Sequence, residues 1–208
     1  MWFTTNDGLS AKLDMLGRHN VVNALAAIAA ARWMQMEDDH IVTGLESVKP
    51  MAMRLERTTI GPREPSAPPL ILINDAYNAN PASMAEAIKT LNDYPMTVAH
   101  GRRIAILGDM LELGTHGKAE HQLLAERLLA LTHRESIIAI LIGSLVQHTA
   151  EVLTKHWPDQ RVHHFEHWSD DLPRVVASLL QPGDVVLLKA SRLLALERMI
   201  PAMVRQMP

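Results

Sequence analysis

From residue 70 onward, short apolar runs alternate with longer stretches of helical periodicity, and a chain with that rhythm has few ways to fold. Leu70-Ile71-Leu72-Ile73, Ile104-Ala105-Ile106-Leu107 and Val185-Val186-Leu187-Leu188 are apolar at every position, the pattern of strands covered on both faces. The spacing predicts helix 81–93, strand 103–108, helix 116–132, strand 137–143, helix 145–156, strand 161–165, helix 170–180, strand 184–189 and helix 192–206. Such alternation gives an α/β fold: a mostly parallel sheet with helices on both faces, linked by right-handed crossovers.

Upstream the pattern changes. Val22, Leu25, Ala26, Ala29 and Trp33 recur at helix spacing, predicting a helix from His19 to about Met36, and a shorter one is expected over 39–47 before Pro50 breaks the pattern. Residues 1–16 hold too few periodic positions to define a unit of their own. Residues 54–60 and 70–73 read as two strands joined by a loop rich in proline. The expected boundary lies near Lys49-Pro50, dividing the chain into 1–49 and 50–208.

The chain's 208 residues are ample for a core, and its net charge of −3 carries no basic bias toward nucleic acid. With no cysteine it has neither disulfide nor thiolate zinc chemistry. Its first residues lack a signal-peptide pattern, and no apolar run reaches membrane-spanning length, so a soluble cytoplasmic protein is expected.

The nine positions Ile73-Asn74-Asp75-Ala76-Tyr77-Asn78-Ala79-Asn80-Pro81 join an apolar run to a helix start and hold an Asp, three Asn and a Tyr. Open α/β sheets bind ligands outside the carboxyl ends of their strands. Asp75, Asp109 and Ser191 all follow predicted strands, so they share that edge. Asn80 before Pro81 reads first as a helix cap, whereas Asp75 caps nothing obvious, and local pattern leaves structural and ligand roles even. Asn20 and Asn23 present amide donors and acceptors suited to a purine edge, with polar capping of their helix as the alternative. Arg54 offers a planar fork for phosphate, or is simply solvated. Asp109 with Glu112 suits a substrate ammonium, or the positive start of a helix. No glycine-rich phosphate loop is present. His163, His164 and His167 have no fixed convergence and read as exposed, so no metal site is expected in this chain.

Five strings occur in the order found in Mur ligases: Gly17-Arg18-His19-Asn20-Val21-Val22-Asn23-Ala24, Met53-Arg54-Leu55-Glu56, Asn74 to Pro81, Leu107-Gly108-Asp109-Met110-Leu111-Glu112-Leu113-Gly114, and Gly183 to Arg192. Together they span nearly the whole chain, which therefore resembles that family. The Asp-Ala-Tyr-Asn-Ala-Asn-Pro and Gly-Asp-Met-Leu-Glu-Leu-Gly strings are similar to those of the branch whose substrates are UDP-N-acetylmuramoyl-tripeptide and D-alanyl-D-alanine. They argue against folylpolyglutamate synthase, which shares the architecture.

The resemblance implies an ATP-dependent amide ligase of peptidoglycan synthesis, working through an acyl-phosphate. It implies that Asn23, with Asn20 beside it, meets the adenine, that Asp75 meets the ribose within a wall that includes Tyr77 and Asn78, and that Arg54 meets the terminal phosphate. Lys189 and Ser191 would lie near the incoming dipeptide, where Ala190 replaces the family's usual glycine. It also implies a Rossmann-like domain preceded by a helical remnant of a central ATPase domain. The P-loop and the Mg2+ ligands of that domain are expected upstream of Met1, so the chain alone is expected to be inactive. Helix 19–36 is expected to expose Ala, Ile and Trp. The alternative, from another class, is a stand-alone binding module.

Overall fold

The computed structural model describes residues 1–62, 64, 66–96, 98, 99 and 101–206. Arg63 and Pro65, within the predicted proline-rich loop, lie outside the described residues. The chain opens with β1 (Trp2–Thr4) and β2 (Ser10–Lys12), an antiparallel pair followed by α1 (His19–Trp33) and α2 (Asp38–Ser47). The main sheet uses β3 (Glu56–Ile60), β4 (Leu70–Asn74), β5 (Arg103–Gly108), β6 (Ile137–Ile142), β7 (Val162–Phe165) and β8 (Val185–Lys189). The helices α3 (Pro81–Asp93), α4 (Gly117–Leu129), α5 (Gln147–Leu153), α6 (Leu172–Ser178) and α7 (Ile200–Gln206) surround it.

Among the described residues the sheet has six strands in the order β3-β4-β8-β5-β6-β7, with β3 antiparallel and the others parallel. The expected mostly parallel α/β class is the one observed. Successive residues of each apolar strand point to opposite faces. Ile73, Leu107, Leu141 and Leu187 pack against Met84, Ile88 and Leu91 of α3, Leu124 and Leu128 of α4, and Leu153 of α5. Leu72, Ile106, Ile140 and Leu188 pack on the other side with Val176 of α6 and Met203 of α7. Full burial of such side chains contributes about 1.5–3 kcal/mol each, which explains why polar alternation is missing from these strands. The steps from β4 to β5, β6 and β7 run one way across the sheet with their helices on one face. The return to β8 carries α6 on the other, as crossovers of a single hand require.

The N-terminal segment departs from expectation. Leu9, Ala11 and Leu13 of the hairpin bury against Ala24 and Ile28 of α1 and Ile41 and Leu45 of α2, a small core of its own. Ile28 is therefore covered rather than exposed, whereas Val22 and Trp33 are 65% and 86% exposed. At the other end, the predicted helix 192–206 is broken. Arg192–Leu194 and Leu196–Met199 are 3-10 turns separated by Ala195 at a left-handed φ of 47°, and only Ile200–Gln206 is α-helical. Pro201 has no N–H to donate back one turn, so an α-helix running through it would lose a hydrogen bond there.

A buried histidine escapes notice in the sequence. His121 of α4 is fully buried; its Nε2 accepts from the Met110 N–H at 3.1 Å and its Nδ1 lies 2.7 Å from the Gly117 carbonyl. This geometry fixes the neutral tautomer with the proton on Nδ1. Burial, ahead of all other influences, lowers its pKa below the usual 6.5. The unfolded chain then binds the proton more readily than the fold does. His121 accordingly supports stability fully above the unfolded value, and this support is lost as pH falls below it toward the lowered folded value. The urea midpoint of His121→Gln, which keeps one donor and one acceptor, is expected to fall less between pH 7 and pH 5 than that of the parent chain. Equal slopes would remove His121 from the acid sensitivity.

Candidate functional site

Three stretches distant in sequence meet at the carboxyl edge of the sheet because of strand register. Glu56 pairs with Asn74 in the antiparallel ladder, so the residues just before β3 lie beside the one just after β4. Asn74 also pairs with Leu188 in the parallel ladder, which sets Lys189 next to Asp75. The result is a cleft of about 650 Å³ between the start of α1, the segment 48–55 and the turn from β4 to α3. Its lining includes Asn20, Asn23, Arg54, Asp75, Tyr77, Asn78 and Lys189.

Asp75 lies at the centre. Its Oδ2 accepts from Lys189 Nζ at 2.6 Å and its Oδ1 from the Leu55 N–H at 3.0 Å. Lys189, only 2% exposed, also donates to the Asn78 carbonyl at 2.9 Å. The Arg54 guanidinium lies 4.5 Å from the centre of the exposed Tyr77 ring, a cation–π contact. Met53 and Leu55, on either side of Arg54, both have left-handed backbone, at φ 58° and 50°. The Tyr77 N–H, bonded to the Met53 carbonyl at 3.2 Å, secures this turn.

The two asparagines of α1 do not cap it. Asn20 Nδ2 donates to the Leu16 carbonyl at 2.7 Å, and Asn23 Nδ2 donates to Asn20 Oδ1 at 3.2 Å. The pair thus stands as a linked amide row at the cleft wall. Asn80, by contrast, is a cap: its Oδ1 accepts from the Ser83 N–H at 2.8 Å while Ser83 Oγ accepts from the Asn80 N–H at 3.1 Å. That reciprocal pair fixes the start of α3. The Asn78 side chain accepts from the Ala79 N–H at 2.8 Å, shaping the turn before it.

Two residues expected at a substrate lie apart from the cleft. Asp109 is 5% exposed, and its Oδ1 accepts from the Val146 N–H at 2.7 Å. Ser191 is 4% exposed; its Oγ accepts from the Leu111 N–H at 2.8 Å, and its N–H donates to the Asp109 carbonyl at 3.0 Å. Both occupy the expected sheet edge but turn inward, joining the loops after β5, β6 and β8. Ala190 is fully buried, and a Cβ on Gly108 would come within 2.7 Å of its methyl, so that glycine makes the room.

The sequence reading missed His19, Lys49 and Glu86, which also line the cleft. His19 belongs to the same string as Asn20, a signal that was available; Glu86 comes from the exposed side of α3, which no local pattern marks. Chemically, the cleft offers amide groups at one wall, a carboxylate at its centre, and an aromatic ring with cations at its mouth. That set suits a ligand with a polar ring, hydroxyls and an anionic end.

Comparison with known proteins relates the chain to a family. The family described as Mur ligase, glutamate ligase domain, matches residues 53–192. The UDP-N-acetylmuramoyl-tripeptide–D-alanyl-D-alanine ligase of Bacillus subtilis is 35% identical over 191 residues, covering 90% of this chain and 38% of that protein. Its Escherichia coli counterpart is 28% identical over 200 residues, covering 96% of this chain and 40% of the relative. This chain thus spans about two fifths of the length of these curated relatives. In fold it is similar to MurF of Acinetobacter baumannii, with a TM-score of 0.74 at 24% identity over 98% of this chain and 41% of the other. It is also similar to MurF ligase of Thermotoga maritima, solved in complex with ADP, with a TM-score of 0.72 at 22% identity over 100% of this chain and 45% of the other. On the family match, which covers most of its length, the chain belongs to the Mur ligase family.

Proposed function

We propose that this chain supplies one wall of the nucleotide site of an ATP-dependent amide ligase that joins D-alanyl-D-alanine to a UDP-N-acetylmuramoyl-tripeptide. The observation that carries this reading is the convergence of Asn20, Asn23, Arg54, Asp75 and Tyr77 on a single cleft. The volume of that cleft falls in the range of small-molecule sites. In this reading residues 1–49 are the end of a central ATPase domain and 50–208 the C-terminal domain.

Asn23, with Asn20 beside it, meets the donor–acceptor edge of the adenine. Asp75 accepts from the ribose hydroxyls, with Tyr77 and Asn78 flanking it, and Arg54 meets the terminal phosphate. The γ-phosphoryl group passes to the tripeptide carboxylate and ADP leaves. The dipeptide amine then attacks the acyl carbon, an amide bond forms and phosphate is expelled. Asp109 and Ser191 hold the loops beneath the incoming dipeptide. Among the described residues no group of three His, Asp or Glu could hold a metal ion, so no step of this reading is assigned to Mg2+ on this chain. No helix among the described residues is long and apolar enough to cross a membrane; cytoplasmic residence is part of the proposal.

The cleft residues divide the nucleotide among them, and calorimetric titration with adenosine and with ATP tests the division. Asn23→Ala is expected to weaken both ligands by about the same factor, up to tenfold for one lost hydrogen bond. Arg54→Ala is expected to weaken ATP by about tenfold or more while leaving adenosine nearly unchanged, because a charge-assisted bond to phosphate is lost. Failure of the parent chain to bind either ligand, or an equal loss for both with Arg54→Ala, would overturn the assignment.

A further inference from the structure

We infer that Lys189 is a positioning residue of the cleft, one that acts through Asp75 and does not itself contact substrate. The inference rests on the nucleotide reading of the cleft and deepens it. Lys189 ends β8 and is buried, and two of its three ammonium protons are committed at 2.6 Å to Asp75 Oδ2 and at 2.9 Å to the Asn78 carbonyl. An ammonium so enclosed has at most one donor left. Taking its carboxylate partner away would leave a buried charge uncompensated, which is strongly unfavourable.

The consequence falls on Asp75. One oxygen is fixed by Lys189 and the other holds the Leu55 N–H at 3.0 Å. A carboxylate has about four lone-pair sites, so both oxygens retain capacity toward the cleft while their direction is already set. Through Leu55 the same carboxylate restrains the turn 53–55, whose two left-handed non-glycine residues, Met53 and Leu55, flank Arg54. Such residues persist only where surrounding contacts over-determine them. Lys189 thus links the end of β8 to the β4–α3 turn and, through Asp75, to the backbone that carries Arg54.

Amide hydrogen exchange and an ADP titration on the 208-residue chain test this, using Lys189→Met, Asp75→Asn and the double variant. The double variant removes both charges together and keeps the test readable if Lys189→Met alone folds poorly. In Lys189→Met, and equally in the double variant, the Leu55 amide is expected to exchange about tenfold faster, the loss of one hydrogen bond's protection. Amides of Ile106 and Ile140 in the sheet are expected to keep their relative protection. Unchanged Leu55 exchange, or loss in step with the sheet, would overturn the inference. In the titration, Lys189→Met and Asp75→Asn should each weaken ADP, and the double variant no more than the worse single; additive losses would instead give Lys189 its own contact with the ligand. If ADP moves no cleft signal in the parent chain, the nucleotide reading falls, while the exchange result still decides the role of Lys189.

Discussion

Gly143→Ala is expected to destabilise the fold by about 3–5 kcal/mol, the sum of a strained backbone and an overfilled site. Gly143 follows β6 with φ at 129°, and a Cβ built there would lie 2.4 Å from both Cγ and Oδ1 of Asp109. Neither side can yield cheaply. The Asp109 carboxylate accepts from the Val146 N–H at 2.7 Å, while the Gly143 N–H donates to the Phe165 carbonyl at 2.9 Å. Urea unfolding should show the loss as a lowered midpoint at unchanged slope. Asp109→Ala in the same background removes the overlap but not the backbone strain, so the double variant should be less damaged than the two singles predict. A Gly143→Ala loss under about 1 kcal/mol, below what either contribution alone should give, would mean that the carboxylate does not pack on this glycine. The result bears on function, because it makes Asp109 a peg for the loop after β6.

Asp109 also shows where sequence reading stops. That it follows a strand at the ligand edge was legible from Ile104 to Leu107, because a strand covered on both faces has to be apolar at every position. Which way its carboxylate points was not, since direction depends on the neighbouring loop that brings Gly143 and Val146 against it. The same holds for Ser191. The start of helix α3 was legible because Asn80 and Pro81 carry the signal side by side, whereas the Ser83 half of the cap emerged only with the structure. The hairpin was not, although Leu9, Ala11 and Leu13 alternate as a half-buried strand should, because strands of three residues give periodicity too little length. Within the cleft, the meeting of Arg54, Asp75 and Lys189 depends on the register of β3, β4 and β8, which no local pattern encodes, and Asn20 and Asn23 reach it from α1, outside the sheet; only the family resemblance joined them beforehand.

Arg103 opens β5, and the structure makes it the anchor of α3. It is 6% exposed, with Nε at 3.2 Å from both the Leu91 and Asn92 carbonyls, Nη2 at 3.2 Å from the Tyr94 carbonyl and Nη1 at 3.0 Å from Ser136 Oγ. The last carbonyls of a helix have no partner within it, and a cation there also meets the negative end of the helix dipole. Burial lowers the guanidinium pKa from its ordinary value, with Asp93 opposing the shift, yet arginine stays charged at any working pH. Arg103→Met fills a similar volume but takes a charged donor from four acceptors, of which the Leu91 carbonyl keeps the Tyr94 N–H, an expected loss of about 3 kcal/mol. Arg103→Lys restores the charge but not the fork, and should recover only part of it. The far end of α3, where Ser83 and Glu86 face the cleft, begins with its own capping pair. Nucleotide affinity measured well below the unfolding midpoint should therefore stay within about twofold of the parent in both variants, since sites without shared partners act independently. A full loss of affinity with stability intact would show that the anchor sets the cleft as well as the helix.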